Sequence, residues 1–141
     1  MIIAAKKEHL EDVYALICEL EQDWINKERF IQCYQESLEN KNVYYYVYQH
    51  QQKIVGFISL YVHHYLHHHH DTGEIVEFVV SCDYRSMKIG DQLIRWIENK
   101  AKELNLEEIE LSTSTYRKKA HRFYEAHGYE KNHYNYTKNI K

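Results

Sequence analysis

GEIVEFVVSCDYRSMKIG, residues 73–90, reads as a strand that leaves through a basic turn and runs straight into an amphipathic helix. Its strand half carries two carboxylates, Glu74 and Glu77, inside an apolar run; its turn half carries Arg85 and Lys88. The first backbone N–H groups of a helix lack carbonyl partners and the macrodipole is positive there, so a cationic loop feeding a helix start is a site for a phosphate group. A proton acceptor just upstream of an anion site points to an enzyme that uses a phosphorylated cofactor.

Outward from this stretch the periodicity alternates. Downstream, Leu93, Ile94, Ile97, Ala101 and Leu104 share one face of a helix predicted over residues 89–104, and Ile109 and Leu111 alternate as a half-buried strand should. Strand, helix, strand in this order needs a crossover, so the strands near 74–82 and 107–112 are expected to be parallel neighbours. A last helix is predicted from Arg117 to His127, stopped by Gly128, and a closing strand from Tyr129 to Lys138.

Upstream, residues 1–5 form a short apolar strand. Leu10, Val13, Tyr14, Ile17 and Leu20 recur at helical spacing, and so do Phe30, Ile31, Tyr34 and Leu38. Two β-rich runs, Val43–Tyr48 and Ile54–Val62, flank His50-Gln51-Gln52-Lys53 as a hairpin. The order β-α-α-β-β-β-α-β-α-β predicts an α/β fold: a mixed, mostly antiparallel sheet with helices on both faces, in one domain over residues 1–141.

Composition bounds the partners. The chain is 44% apolar and 28% charged, with no proline, which suits an ordinary globular domain rather than a disordered chain. A formal net charge of −3 argues against nucleic acid as the main partner. No apolar run approaches the roughly 20 residues that span a bilayer, and Lys6 and Lys7 follow the apolar start, so no membrane partner and a cytoplasmic location are expected. Cys18, Cys33 and Cys82 share no CxxC spacing, and nothing beside Cys82 supplies a partnered base for a covalent mechanism. The tyrosine-rich segments 43–48 and 129–136 offer surfaces for a homodimer.

The motifs resemble those of the GNAT acetyltransferase superfamily. Arg85-Ser86-Met87-Lys88-Ile89-Gly90 is similar to its pyrophosphate loop, Arg/Gln-x-x-Gly-x-Gly/Ala, with Lys88 in place of the first glycine. Ala120-His121-Arg122-Phe123-Tyr124-Glu125-Ala126-His127-Gly128-Tyr129 is similar to its AHxFYExxGF/Y helix end. Within the superfamily, residues 13–20, Leu66-His67-His68, Gly73-Glu74-Ile75 and Leu111-Ser112-Thr113 look like the aminoalkylphosphonate N-acetyltransferases, which acetylate small aminophosphonates and are described as using a divalent metal.

The resemblance implies acetyl-CoA as co-substrate and a small-molecule amine as acceptor. It places the cofactor against Val80, Arg85, Ser86, Met87, Lys88, Ile89, Gly90, Ser112 and Thr113, and a phosphonate or divalent metal near His67 and His68. A primary amine is almost wholly protonated at neutral pH, so Glu74 and Glu77 are candidate proton acceptors, and the resemblance to the phosphonate enzymes favours Glu74, with Glu77 second. Residues three apart face opposite sides of a regular strand, and a bulge is needed before both line one site. Tyr124 is the expected acid for the departing thiolate. Another amine (a polyamine, an aminoglycoside or a protein N-terminus) remains open as acceptor, as does a non-catalytic acyl-CoA-binding role.

Overall fold

A computed structural model describes all residues, Met1–Lys141. The elements in chain order are β1 (Ile2–Ala4), α1 (Leu10–Glu21), α2 (Lys27–Glu39), β2 (Val43–His50), β3 (Lys53–His63), β4 (Thr72–Val80), α3 (Ile89–Glu103), β5 (Ile109–Leu111) and α4 (Lys118–Ala126). A 3-10 turn, Lys7–His9, leads into α1, and a second, Cys82–Met87, joins β4 to α3. The chain forms two compact units, Met1–Glu110 and Leu111–Lys141.

In the first unit the strands lie in the order β1-β2-β3-β4-β5. The first four pair antiparallel. Between β4 and β5 the N–H of Glu107 donates to Asp71 and that of Gly73 to Glu108, so the bonds advance in the same direction along both strands, as the crossover through α3 demands. Sequence and structure agree here for a geometric reason: a strand that returns to the sheet through a helical crossover runs parallel to the one it left.

Each sheet face is covered by a different helical layer. Val47, Phe57 and Val79 pack against Val13 and Leu16 of α1 and Tyr34 of α2. Rings continue this layer, with Phe30, Tyr34, Tyr45 and Phe57 in successive contact at centroid distances of 5.9, 5.7 and 5.1 Å. α2 starts where the Asn26 side chain accepts the Arg29 N–H, satisfying one orphan donor of the first turn.

On the opposite face α3 buries Ile89, Leu93, Ile94, Ile97 and Ala101, the stripe set by its spacing. Each of the four large side chains contributes about 1.5–3 kcal/mol on burial. A Cβ at Gly56 would lie 3.0 Å from Leu93 and 3.3 Å from Ile89, so the close approach of α3 to β3 needs glycine there.

The closing strand predicted for residues 129–138 does not form. Beyond α4 the chain has no regular structure, and Tyr134, Tyr136 and Ile140 are exposed. The segment alternates aromatic with polar residues, but Lys131, Asn132, Asn135, Lys138 and Asn139 leave it too little apolar surface to offset the entropy of ordering an added strand.

Candidate active site

The two carboxylates of β4 share one face because the strand is bulged. Ile58 pairs with Phe78 but Leu60 pairs with Ile75, so Ser59 stands opposite two residues, Val76 and Glu77. The extra residue restores Glu77 to the side occupied by Glu74, which is opposite Tyr61. The difficulty raised by a spacing of three is thereby removed.

Ser59 pins the bulge. It is 0% exposed; its Oγ accepts the Glu77 N–H at 2.8 Å, and its hydroxyl donates to Glu77 Oε1 at 2.5 Å. Burial raises the Glu77 carboxyl above its ordinary value; the Ser59 hydrogen bond opposes that, while the charges of Glu74 and Glu21 add to it. Tyr45 and Tyr61 join hydroxyls at 3.0 Å in the same layer. Burial, with smaller repulsion from Glu77, pushes the Tyr45 phenol up.

Glu74 is more open, its side chain 31% exposed. Its Oε1 lies 2.8 Å from Nε2 of His63, the last residue of β3. Tyr65 stacks on His63 with ring centroids 5.1 Å apart, and on His67 at 5.6 Å. The accessible carboxylate is thus Glu74, while Glu77 is engaged in holding the strand.

The histidine-rich loop is clasped to the residues before β5. His68 Nδ1 lies 2.6 Å from Glu107 Oε2, and the N–H groups of His69 and His70 both donate to Glu107 Oε1 at 3.0 Å. The Glu107 carboxyl falls to about 2, chiefly through the His68 hydrogen bond and the His70 N–H, and His68 rises in return. His68 Nε2 is 3.6 Å from Glu108, and His67 packs its ring on His68 at 4.4 Å. No group of three His, Cys, Asp or Glu stands together to hold a metal ion. The residues present therefore do not gather the ligand set that the divalent metal expected at His67 and His68 requires: His67 meets rings alone, and His68 is paired with Glu107 and Glu108.

At the other end of β4 the loop to α3 has the features of an anion cradle. Arg85, Ser86, Met87 and Lys88 are exposed. Lys88 is left-handed, φ 58° and ψ 27°, immediately before the first turn of α3. The irregular residue of the motif thus adopts the backbone that a glycine there would permit. Ile89 is fully buried, so it offers a ligand its backbone and not its side chain.

Glu19 of α1 braces this loop, accepting the Cys82 N–H at 3.0 Å and lying 3.5 Å from Arg85 Nη2. Arg85 Nε donates to the Val80 carbonyl at 3.2 Å. The helix start with two exposed cations fits a pyrophosphate, which backbone N–H groups and Arg85 and Lys88 would hold.

In the second unit Tyr124 lies on α4. Burial raises its phenol above the ordinary value, partly offset by the positive charge of Arg117, so its proton is retained at neutral pH. Its ring meets those of Phe123 at 5.6 Å and Tyr129 at 6.1 Å. Ser112 is exposed and Thr113 half-buried in the stretch between β5 and α4.

The Acetyltransferase (GNAT) family profile matches residues 10–129. The chain belongs to this family. It is 40% identical over 134 residues to the aminoalkylphosphonate N-acetyltransferase of Salmonella typhimurium, covering 95% of this chain and 87% of that protein. A Bacillus halodurans protein titled a transcriptional regulator superposes with a TM-score of 0.91 at 24% identity, covering 99% of both chains. A Trypanosoma brucei acetyltransferase does so with 0.83 at 19%, again covering 99% of both. These structural likenesses show the fold.

As a member of the family, this acetyltransferase uses acetyl-CoA and acetylates an amine. None of its helices is long and apolar enough to cross a membrane. Ser59, Glu19 and Glu107 were not singled out from the sequence, and His63 was read only as one of the six histidines between 63 and 70. Ser59 left a sign, as the lone serine within the run 54–62.

Proposed function

We propose that this acetyltransferase transfers the acetyl group of acetyl-CoA to the primary amine of a small aminoalkylphosphonate. The observation that carries this is the 40% identity to the Salmonella enzyme over nearly the whole chain. Acetyl-CoA supplies the activated acyl group as a thioester.

The rest is work for the chain's own residues. Glu74 drives loss of the amine's proton, being the accessible carboxylate of the bulged strand. Glu77 keeps that strand in register from its bond to Ser59. Tyr124 holds a proton at its phenol oxygen for the departing sulfur, a role that fits its raised pKa. The amides at the start of α3, with Arg85 and Lys88, hold the cofactor's phosphates; the family resemblance assigns Ser112 and Thr113 to its pantetheine arm and Val80 to the cofactor.

A second reading has its own support. The charges of Glu74 and Glu21 both act on Glu77, and such a group favours a polycationic acceptor. Acetyl transfer to a panel containing 2-aminoethylphosphonate, a polyamine, an aminoglycoside and a peptide N-terminus decides between the two. The highest kcat/KM is expected for the phosphonate; its failure to turn over while a polyamine does would overturn the substrate assignment.

A further inference from the structure

We propose that the proton lost by the acceptor amine comes to rest on His63, whose imidazole and the Glu74 carboxylate form a proton-accepting pair. The inference rests on the reading of Glu74 as the seat of the base function, and goes beyond it by naming the atom that takes the proton.

The geometry begins with the 2.8 Å contact between His63 Nε2 and Glu74 Oε1. An ionised carboxylate has only acceptor sites, so the hydrogen in that contact sits on Nε2. In a neutral imidazole the lone pair is then at Nδ1, and Nδ1 has no hydrogen-bond partner in the protein. Glu74 on this basis is a positioning residue: it selects the tautomer, fixes the ring and stabilises the imidazolium that forms. Tyr65, stacked on the ring, restricts its rotation.

Imidazoles as a class accept protons about two pH units more readily than carboxylates, and general bases work best when poised near the operating pH. A carboxylate alone is a poor match for an ammonium group at neutral pH. Paired with an imidazole it becomes the counter-charge of a better base. The step balances: the N–H bond of the substrate ammonium breaks, its electron pair stays on the amine nitrogen, and the proton binds Nδ1, directly or through one water. After transfer of the acetyl group His63 returns the proton to solvent.

The ionisable groups around the ring are Glu74 on β4, Tyr65 on the loop and, across Tyr65, His67. Glu74 and Glu21 of α1 both act by charge on Glu77. Glu110 of β5 acts on Tyr65 together with Glu74. Carboxylates dominate this set.

The test uses the full-length protein, acetyl-CoA and 2-aminoethylphosphonate, or whichever amine of the panel turns over. His63→Gln is expected to lower kcat about 10²-fold or more with KM for acetyl-CoA within about twofold, and to move the acid limb of kcat/KM down by at least one unit. Glu74→Gln is expected to lower kcat while leaving an acid limb. Free imidazole should restore activity to His63→Ala in proportion to its concentration. Ring 15N shifts of His63 in the protein without substrate should report hydrogen on Nε2 in the wild type and lose that preference in Glu74→Gln.

An unchanged acid limb in His63→Gln, or its disappearance in Glu74→Gln alone, would overturn the assignment and leave the acetyltransferase reading intact. Absence of transfer to every amine by the wild type would overturn both.

Discussion

Ser59→Ala isolates the contribution of the bulge that brings Glu74 and Glu77 to one face. The substitution removes one oxygen that makes two hydrogen bonds, at 2.8 Å from the Glu77 N–H and 2.5 Å to its carboxylate. Leaving a buried N–H without an acceptor costs about 1–3 kcal/mol, and a hydrogen bond to a charged group contributes about 1.5–3 kcal/mol. At pH 7.5 the loss should be about 3 kcal/mol, allowing for partial relaxation of the strand.

The pH dependence follows from Glu77. Its carboxyl is raised in the folded protein, so the fold is most stable where it is protonated and loses stability as pH rises from the ordinary carboxylate value through the raised one. Ser59 is the group that holds the rise down. Without it the Glu77 carboxyl climbs further, and the variant suffers more at pH 7.5 than at pH 4.5 by about 1–2 kcal/mol. Urea unfolding of both proteins at the two pH values, analysed with a common m-value, measures this. A loss below about 1 kcal/mol at pH 7.5, or an equal loss at both pH values, would refute the role given to the Ser59 bond.

Tyr124→Phe keeps the ring contacts and removes the proton, so kcat should fall about 10²-fold with acetyl-CoA affinity nearly unchanged; steady-state kinetics beside calorimetric binding check it, and equal loss of both counts against an acid role. Lys88→Gly relieves a left-handed residue at a cost in unfolded-chain entropy of similar size, so stability should change by less than about 1 kcal/mol. Lys88→Ala keeps the strain and loses the charge, and comparing acetyl-CoA affinity of the two variants in 50 and 300 mM salt separates backbone from ammonium.

The clasp between His68 and Glu107 should be fully formed from about pH 4.5 to 6.5. Glu107, held near 2, contributes above the ordinary carboxylate value and is lost as pH falls through 2, whereas His68, raised, contributes below the ordinary imidazole value and is lost as pH rises through its own. NMR titration should show the His68 pKa dropping in Glu107→Gln; no drop would mean that the loop is held by other contacts.

Much of the fold was legible because its signals are local. The stripe Leu93, Ile94, Ile97 and Ala101 has one helical period and one burial solution, and the crossover it makes leaves β4 and β5 parallel by necessity. The hairpin between β2 and β3 was legible as a pair of strands, but its turn was not: Gln51 and Gln52, at φ 50° and 67°, adopt the left-handed pair usually marked by Asn-Gly. The strand expected over residues 129–138 failed for the opposite reason, since alternation alone does not supply a partner or enough apolar surface.

The site divides along the same line. By itself the sequence determined which chemistry is present: two carboxylates in a strand, a cationic turn before a helix, a tyrosine near a helix end, and a loop dense in histidine. Residue type and short spacing carry that information because a phosphate cradle is built from consecutive backbone groups. Only the tertiary structure decided which groups meet. Ser59 reaches Glu77 across eighteen residues, His63 reaches Glu74 across eleven, and Glu107 reaches His68 across thirty-nine. Those contacts are set by the register of neighbouring strands, and one extra residue in β4 reverses which face every later side chain takes.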